Sequence, residues 1–259
     1  GKYIGIWWGM HLGLYTWGSG AEHGATTERT MEYMDFAAAN GFRGVLVEGW
    51  NKGWDGDWTS YLNSFNFTEP YQDFDLQAVT EYAASLGVKL IGHHETAANI
   101  LNYEEQMEDA FTLYESFGVD TVKTGYVGGK TTTGEWHHGQ YMVRHYQKVI
   151  DSAALHHIMI NAHEPIKDTG LRRTYPNFLS REGARGMEYD AWSGDGGNPP
   201  DHVPTIVYTR LLAGPMDFTP GIFALRYPEY RSSNQVNTTL AKELAYYVVI
   251  YSPLQMAAD

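Results

Sequence analysis

Ile158-Met159-Ile160-Asn161-Ala162-His163-Glu164-Pro165 runs from apolar, β-favouring residues into Asn, His and Glu before a proline stops it. A buried strand that turns polar at its carboxyl end has this pattern. The pattern recurs along the chain. Gly44-Val45-Leu46-Val47 leads into Glu48, Val88-Lys89-Leu90-Ile91-Gly92 into His93-His94-Glu95, and Ala184-Arg185-Gly186-Met187 into Glu188. Four apolar segments thus each deliver a glutamate at the same end.

The intervals between these segments read as helices. Thr27 is expected to cap a helix ending near Asn40, and Asp75 opens one that Gly87 stops. Asn102 is expected to cap a third, running to Phe117, and residues 140–155 form the longest. Tyr3 to Trp8 supplies a first strand, Val119 to Thr124 a fourth, Pro215 to Phe218 a seventh and Ser252 to Met256 an eighth. Residues 166–183 carry no helical period and are the one lapse in alternation. Eight strands alternating with helices over 259 residues predict a single α/β domain, 1–259, folded as a (β/α)8 TIM barrel. A doubly wound open sheet is the alternative, and no Gly-rich dinucleotide fingerprint supports it.

Barrel active sites lie at the carboxyl ends of the strands. Glu48, Glu95, Glu164 and Glu188 are therefore expected in one bowl with His93, His94, His163 and Lys123. Like charges crowded together disfavour one another's ionised form, so such a set persists where it does chemistry or holds a cation. Zinc is a weak candidate, because His93-His94-Glu95 and His163-Glu164 lack the HxH and HExxH spacings. Trp50, Trp54 and Trp58 fall in a loop from Glu48 to Tyr71 and are expected to line a substrate wall, whereas His137-His138 and His156-His157 read as surface or helix-end residues.

The net charge of −13 argues against nucleic acid as a partner. With no cysteine there is neither a disulfide nor a thiolate metal site. No apolar run is long enough to suggest a membrane span. The chain opens almost directly on a strand and is read as an excised core.

Several longer motifs carry a family resemblance. They include Gly5-Ile6-Trp7-Trp8, Leu46-Val47-Glu48-Gly49-Trp50-Asn51, His93-His94-Glu95-Thr96 and Val122-Lys123-Thr124-Gly125-Tyr126-Val127-Gly128. Asn161-Ala162-His163-Glu164, Arg172-Arg173-Thr174-Tyr175-Pro176-Asn177 and residues 214–221, Gly-Pro-Met-Asp-Phe-Thr-Pro-Gly, complete the set. By these the chain resembles glycoside hydrolase family 97, bacterial α-glucosidases and α-galactosidases, over almost its whole length.

The resemblance implies a catalytic barrel without the β-sandwich and small β domain that flank it in the family; both are expected to pack on the barrel. Retaining members place a nucleophilic Asp at the end of the fourth strand, where this chain has Lys123-Thr124-Gly125. Inverting members have glutamates on the third and fifth strands, matched by Glu95 and Glu164, and a general acid matched by Glu188. Calcium is implied at Glu164, Glu182 and Glu188, and substrate contacts at His93, His163, Lys123, Glu48 and Trp50. Inversion needs acid and base ~6.5–9.5 Å apart, a gap expected between Glu188 and Glu95 across the barrel.

The expectation is thus an inverting, calcium-dependent α-glucosidase acting on oligosaccharides or α-glucans such as starch, exported to the periplasm or secreted. The alternatives are a retaining α-galactosidase of the same family, a sugar-binding barrel that does not turn over, and, more distantly, a metal-dependent aldolase or amidohydrolase.

Overall fold

The computed structural model describes residues 1–59 and 63–258. The loop expected from Glu48 to Tyr71 crosses residues 60–62, and Asp259 ends the chain; these lie outside the described residues.

Strand β1 (Lys2–Ile6) leads into a short helix α1 (Trp8–Leu12), then α2 (Thr27–Ala39) and β2 (Gly44–Val47). There follow α3 (Leu76–Leu86), β3 (Lys89–Glu95), α4 (Ile100–Ser116), β4 (Thr121–Gly125), α5 (Gln140–Leu155) and β5 (Met159–Ala162). The last third holds β6 (Phe178–Arg181), α6 (Tyr189–Trp192), α7 (His202–Tyr208), α8 (Leu240–Val249) and β7 (Gln255–Met256). Among the described residues the seven strands are parallel, in the order β6-β5-β4-β3-β2-β1-β7. The expected seventh strand, residues 215–218, forms no ladder; it joins β6 through a single parallel bridge between Arg181 and Met216. The described strands therefore form a partial barrel, open at that position, and the expected eighth strand is β7.

Two helix caps sit one to three residues earlier than expected. Thr26, in extended conformation, accepts the Arg29 amide, and Asn99 accepts the Asn102 amide. Between β5 and β6 only the 3-10 turn Leu171–Arg173 appears, as the missing period implied.

The expected sixth strand is displaced. It spans Phe178–Arg181, not the segment ending at Met187, so its carboxyl end delivers Glu182, and Glu188 caps α6 in helical conformation. The short run at 184–187 forms no strand, and a run of this length carries no period of its own.

Side chains alternate across the wall. On β1–β3, Ile4, Ile6, Val45, Val47 and Leu90 join the cluster under the helices, whereas Tyr3, Leu46 and Ile91 join the one inside. Continuing that parity points Glu48, His93, Glu95, Lys123, Asn161 and His163 inward. His94 and Thr124 point outward. This two-residue rhythm is what assembles the site.

Candidate active site

The inward residues meet as a charged network beneath the bowl. Lys123 donates to Glu48 Oε1 at 2.8 Å, and the Trp17 indole donates to Glu48 Oε2 at 3.0 Å. His93 Nε2 lies 3.5 Å from the same Glu48 oxygen. Burial raises the Glu48 pKa, but the charges of Lys123 and His93 and the two donated bonds outweigh it and hold the carboxyl well below its ordinary range. For Lys123, burial lowers the ammonium pKa, but Glu48 and Asp217 more than restore it, so the pair is ionised. His93 is driven by burial down to about 4 despite Glu48, which makes it a neutral hydrogen-bonding group.

Glu95 ends β3 opposite Gly125 of β4. Its Oε1 accepts the amides of Thr96, Ala97 and Val127 at 3.0, 2.7 and 3.1 Å. Ala97 and Ala98 take positive φ (47° and 55°), which turns the backbone amides toward the carboxylate. Burial and the Glu164 charge push Glu95 up to about 8, against the pull of the Ala97 and Val127 amides. A Cβ built on Gly125 would fall on the Glu95 carboxylate, so any larger residue there would displace that carboxyl from its present seat.

Glu164 also sits at positive φ (41°). Its carbonyl is held by His137 Nε2 at 2.6 Å and the Tyr146 hydroxyl at 2.8 Å, and its Oε2 accepts the Tyr126 amide at 2.7 Å. His137 is thus no surface residue: it is buried and clamps a glutamate in a strained conformation.

Glu182 is raised well above the usual carboxylate range by burial and by Glu188 and Glu164. Glu188 is pushed up to about 7, chiefly by burial, with Lys123 opposing and Glu164 adding.

Glu48, His93, Glu95, Lys123, His163, Glu164 and Glu188 line one cavity of about 590 Å³. Trp7, Trp17, Trp54 and Trp58 form one wall, with Trp54 stacked on His93 at 5.6 Å and on Trp17 at 6.3 Å. Trp50 is not part of that wall. It is buried beneath it, its indole donating to the His93 carbonyl at 3.2 Å, so it positions β3 instead of facing a ligand. His94, on the outward face, bonds the Tyr103 hydroxyl within the helix layer.

Two inward groups escaped the sequence reading. His11, also on the cavity wall, is lowered by burial to about 3. Asp217, in the bridging segment at the seam, accepts from His163 Nε2 at 2.9 Å, Asn161 Nδ2 at 2.5 Å and the Tyr3 hydroxyl at 3.1 Å. It is buried and ionised, because those donors and Lys123 overcome the cost of burial. The signal for it was an acidic residue inside the apolar run Pro215-Met216-Asp217-Phe218.

Glu164, Glu182 and Glu188 also border a second, larger cavity. Among the described residues no lysine or arginine ion-pairs with any of the three. Oxygen-only donors with unbalanced charge suit a hard cation. Among the described residues, however, no three His, Asp or Glu side chains converge tightly enough to hold a metal ion by themselves. A cation here would need water or further ligands to complete its shell.

Comparison with known proteins follows the same lines. The family profile described as Glycoside hydrolase 97 matches residues 7–184. A retaining α-galactosidase of Bacteroides thetaiotaomicron is 30% identical over 238 residues, 88% of this chain and 32% of that protein. A probable retaining α-galactosidase of Streptomyces bingchenggensis is 27% identical over 215 residues, 81% of this chain and 30% of that protein. Among solved structures, a glycoside hydrolase family 97 enzyme from Pseudoalteromonas sp. strain K8 in complex with acarbose is 59% identical, with a TM-score of 0.93. The match covers 100% of this chain and 41% of that one, and a variant of the same enzyme in complex with panose matches equally. A β-arabinopyranosidase at 19% identity and TM-score 0.67 shares the fold alone. The chain spans about a third of the curated relatives, 32% and 30%.

Proposed function

This chain belongs to glycoside hydrolase family 97, and from that premise we propose that it hydrolyses terminal α-glucosidic bonds of oligosaccharides or α-glucans with inversion at the anomeric carbon. The observation that carries the stereochemistry is the Glu95–Gly125 pairing. Retention needs a nucleophilic carboxylate, and the fourth-strand seat for one is filled by the Glu95 side chain. Without a covalent intermediate, water must attack directly.

In this reading Glu188, raised to about 7, keeps its proton near neutral pH and gives it to the leaving oxygen. Glu95 and Glu164 act as the base. Burial first and the Glu164 charge second raise Glu95, so the two carboxyls are electrostatically linked, and the pair takes one proton from the attacking water. Glu48, Lys123, His93 and His163 offer fixed donors and acceptors to sugar hydroxyls. Glu164, Glu182 and Glu188, with water or further ligands completing the shell, would hold calcium, which when bound would offset their mutual repulsion and help orient water.

The substrate is supported by the complexes of the Pseudoalteromonas relative with acarbose and panose. A second reading, retaining α-galactosidase, is favoured by the names of the two curated relatives. Proton NMR of the first-formed sugar separates them. An α-glucoside should release the β-anomer; release of the α-anomer, or turnover of α-galactosides only, would overturn the proposal.

A further inference from the structure

Besides the tryptophan cluster, the cavity carries a second aromatic pair. Tyr189 and Trp192 lie in α6, the turn that Glu188 begins, and both line the catalytic cavity. Their rings are 4.5 Å apart, and the Arg185 guanidinium covers Tyr189 at 4.6 Å. Tyr189 is thereby packed between two groups, and Trp192 is left with 48% of its surface exposed. An indole this open beside a catalytic cavity has one face available to a ligand.

Position and rigidity both matter here. Glu188 and Trp192 are four residues apart in helical conformation, so they share a face. The turn is fastened from behind. Asp190 Oδ1 accepts the Asn198 amide at 2.6 Å, Asn198 Nδ2 donates to the Gly186 carbonyl at 2.9 Å, and the Tyr227 hydroxyl donates to the Asp190 carbonyl at 2.6 Å. Trp192 is therefore held at a fixed offset from the carboxyl group assigned as the acid.

We propose that Trp192, backed by Tyr189, is the platform for the sugar unit on the leaving-group side of the scissile bond. The inference rests on the assignment of Glu188 as the acid: a group that protonates the bridging oxygen has the departing sugar beside it. The apolar face of a pyranose lies flat on an indole, and the cavity's remaining tryptophans, on the β1 and β2 loops, are left for the terminal sugar that is cleaved off. A monosaccharide then depends on the tryptophan cluster alone, and a longer ligand on both walls.

Calorimetry on the full-length protein carrying Glu188→Gln tests this with maltotriose and glucose as probes. Adding Trp192→Ala should weaken maltotriose about tenfold and change glucose affinity by less than about twofold, and Trp192→Phe should restore most of the loss. Equal weakening of both sugars, or no weakening of maltotriose, would overturn the platform. Failure of the hydrolase reading shows separately, as unsubstituted protein that binds maltotriose and releases no glucose.

Discussion

A carboxyl group that is to give up a proton at neutral pH has to be kept from losing it beforehand, and burial does this for Glu188. Its raised pKa, about 7, sets the alkaline limb of the pH profile: the protonated fraction, and with it kcat/KM, falls as pH rises through 7. Glu188→Gln should lower kcat/KM on maltotriose by ~10²–10⁴ and remove that limb, with α-glucosyl fluoride, whose leaving group needs no proton, largely spared. Equal loss on both substrates would exclude the acid role. Asp217 acts one shell further out. With His163, Asn161 and Tyr3 all donating to its Oδ2, Asp217→Asn removes the charge that those donors surround, so activity should fall by ~10-fold or more and stability by about 1–3 kcal/mol, read from kcat/KM and urea melts. Glu48, Glu95, Lys123 and His163 were legible in the sequence because a period of two, carried past the end of an apolar run, already says which side chains point inward. Trp50, His137 and Asp217 were not. Each is defined by a partner 43, 27 and 54 residues away, and no local pattern reports such a contact.

Among elements, helices were read to within a few residues because their stops are chemical: Gly87 ends α3 in left-handed conformation. Caps were harder. Thr27 looks as good as Thr26 in sequence, yet its hydroxyl is taken by the Asp73 carbonyl and the Asp75 amide. Strand β6 was misplaced because two short apolar runs compete for one slot in the wall and only neighbour pairing decides between them; the winner registers with β5 across an irregularity at Ile160/Asn161. Glu182 therefore takes the strand-end position that was expected of Glu188. The turn at Glu164 is the strained part of this wall. His137→Ala removes the 2.6 Å bond that holds the Glu164 carbonyl, and with it part of the restraint on a positive φ. Its effect should be larger on kcat than on Tm. Asp75→Ala, which loses only the cap on the Ala78 amide, should cost about 1 kcal/mol of stability with kinetics unaltered.

At the scale of the whole molecule, the fold is governed by how much buried acid it tolerates. Glu95 is raised to about 8, Glu188 and Glu243 to about 7, and Asp190 to about 6, all chiefly by burial. A carboxyl whose pKa is higher folded than unfolded binds more protons in the native state, so stability is greatest at the acid end and falls as pH rises between the two values. In chelator, Tm should decline from about pH 5 to pH 8. Added calcium should flatten that decline; a Tm indifferent to both calcium and EDTA would count against the cation. The Glu95–Gly125 pairing has a further consequence, for descent. Placing an aspartate at position 125 while Glu95 stays would set two carboxylates in one volume, and shortening Glu95 alone would discard half of the base. Under the proposed roles, a lineage crossing between the two stereochemical outcomes is expected to alter both strands, because an aspartate at 125 made alone displaces the Glu95 carboxyl and a shorter residue at 95 made alone leaves Glu164 as base by itself.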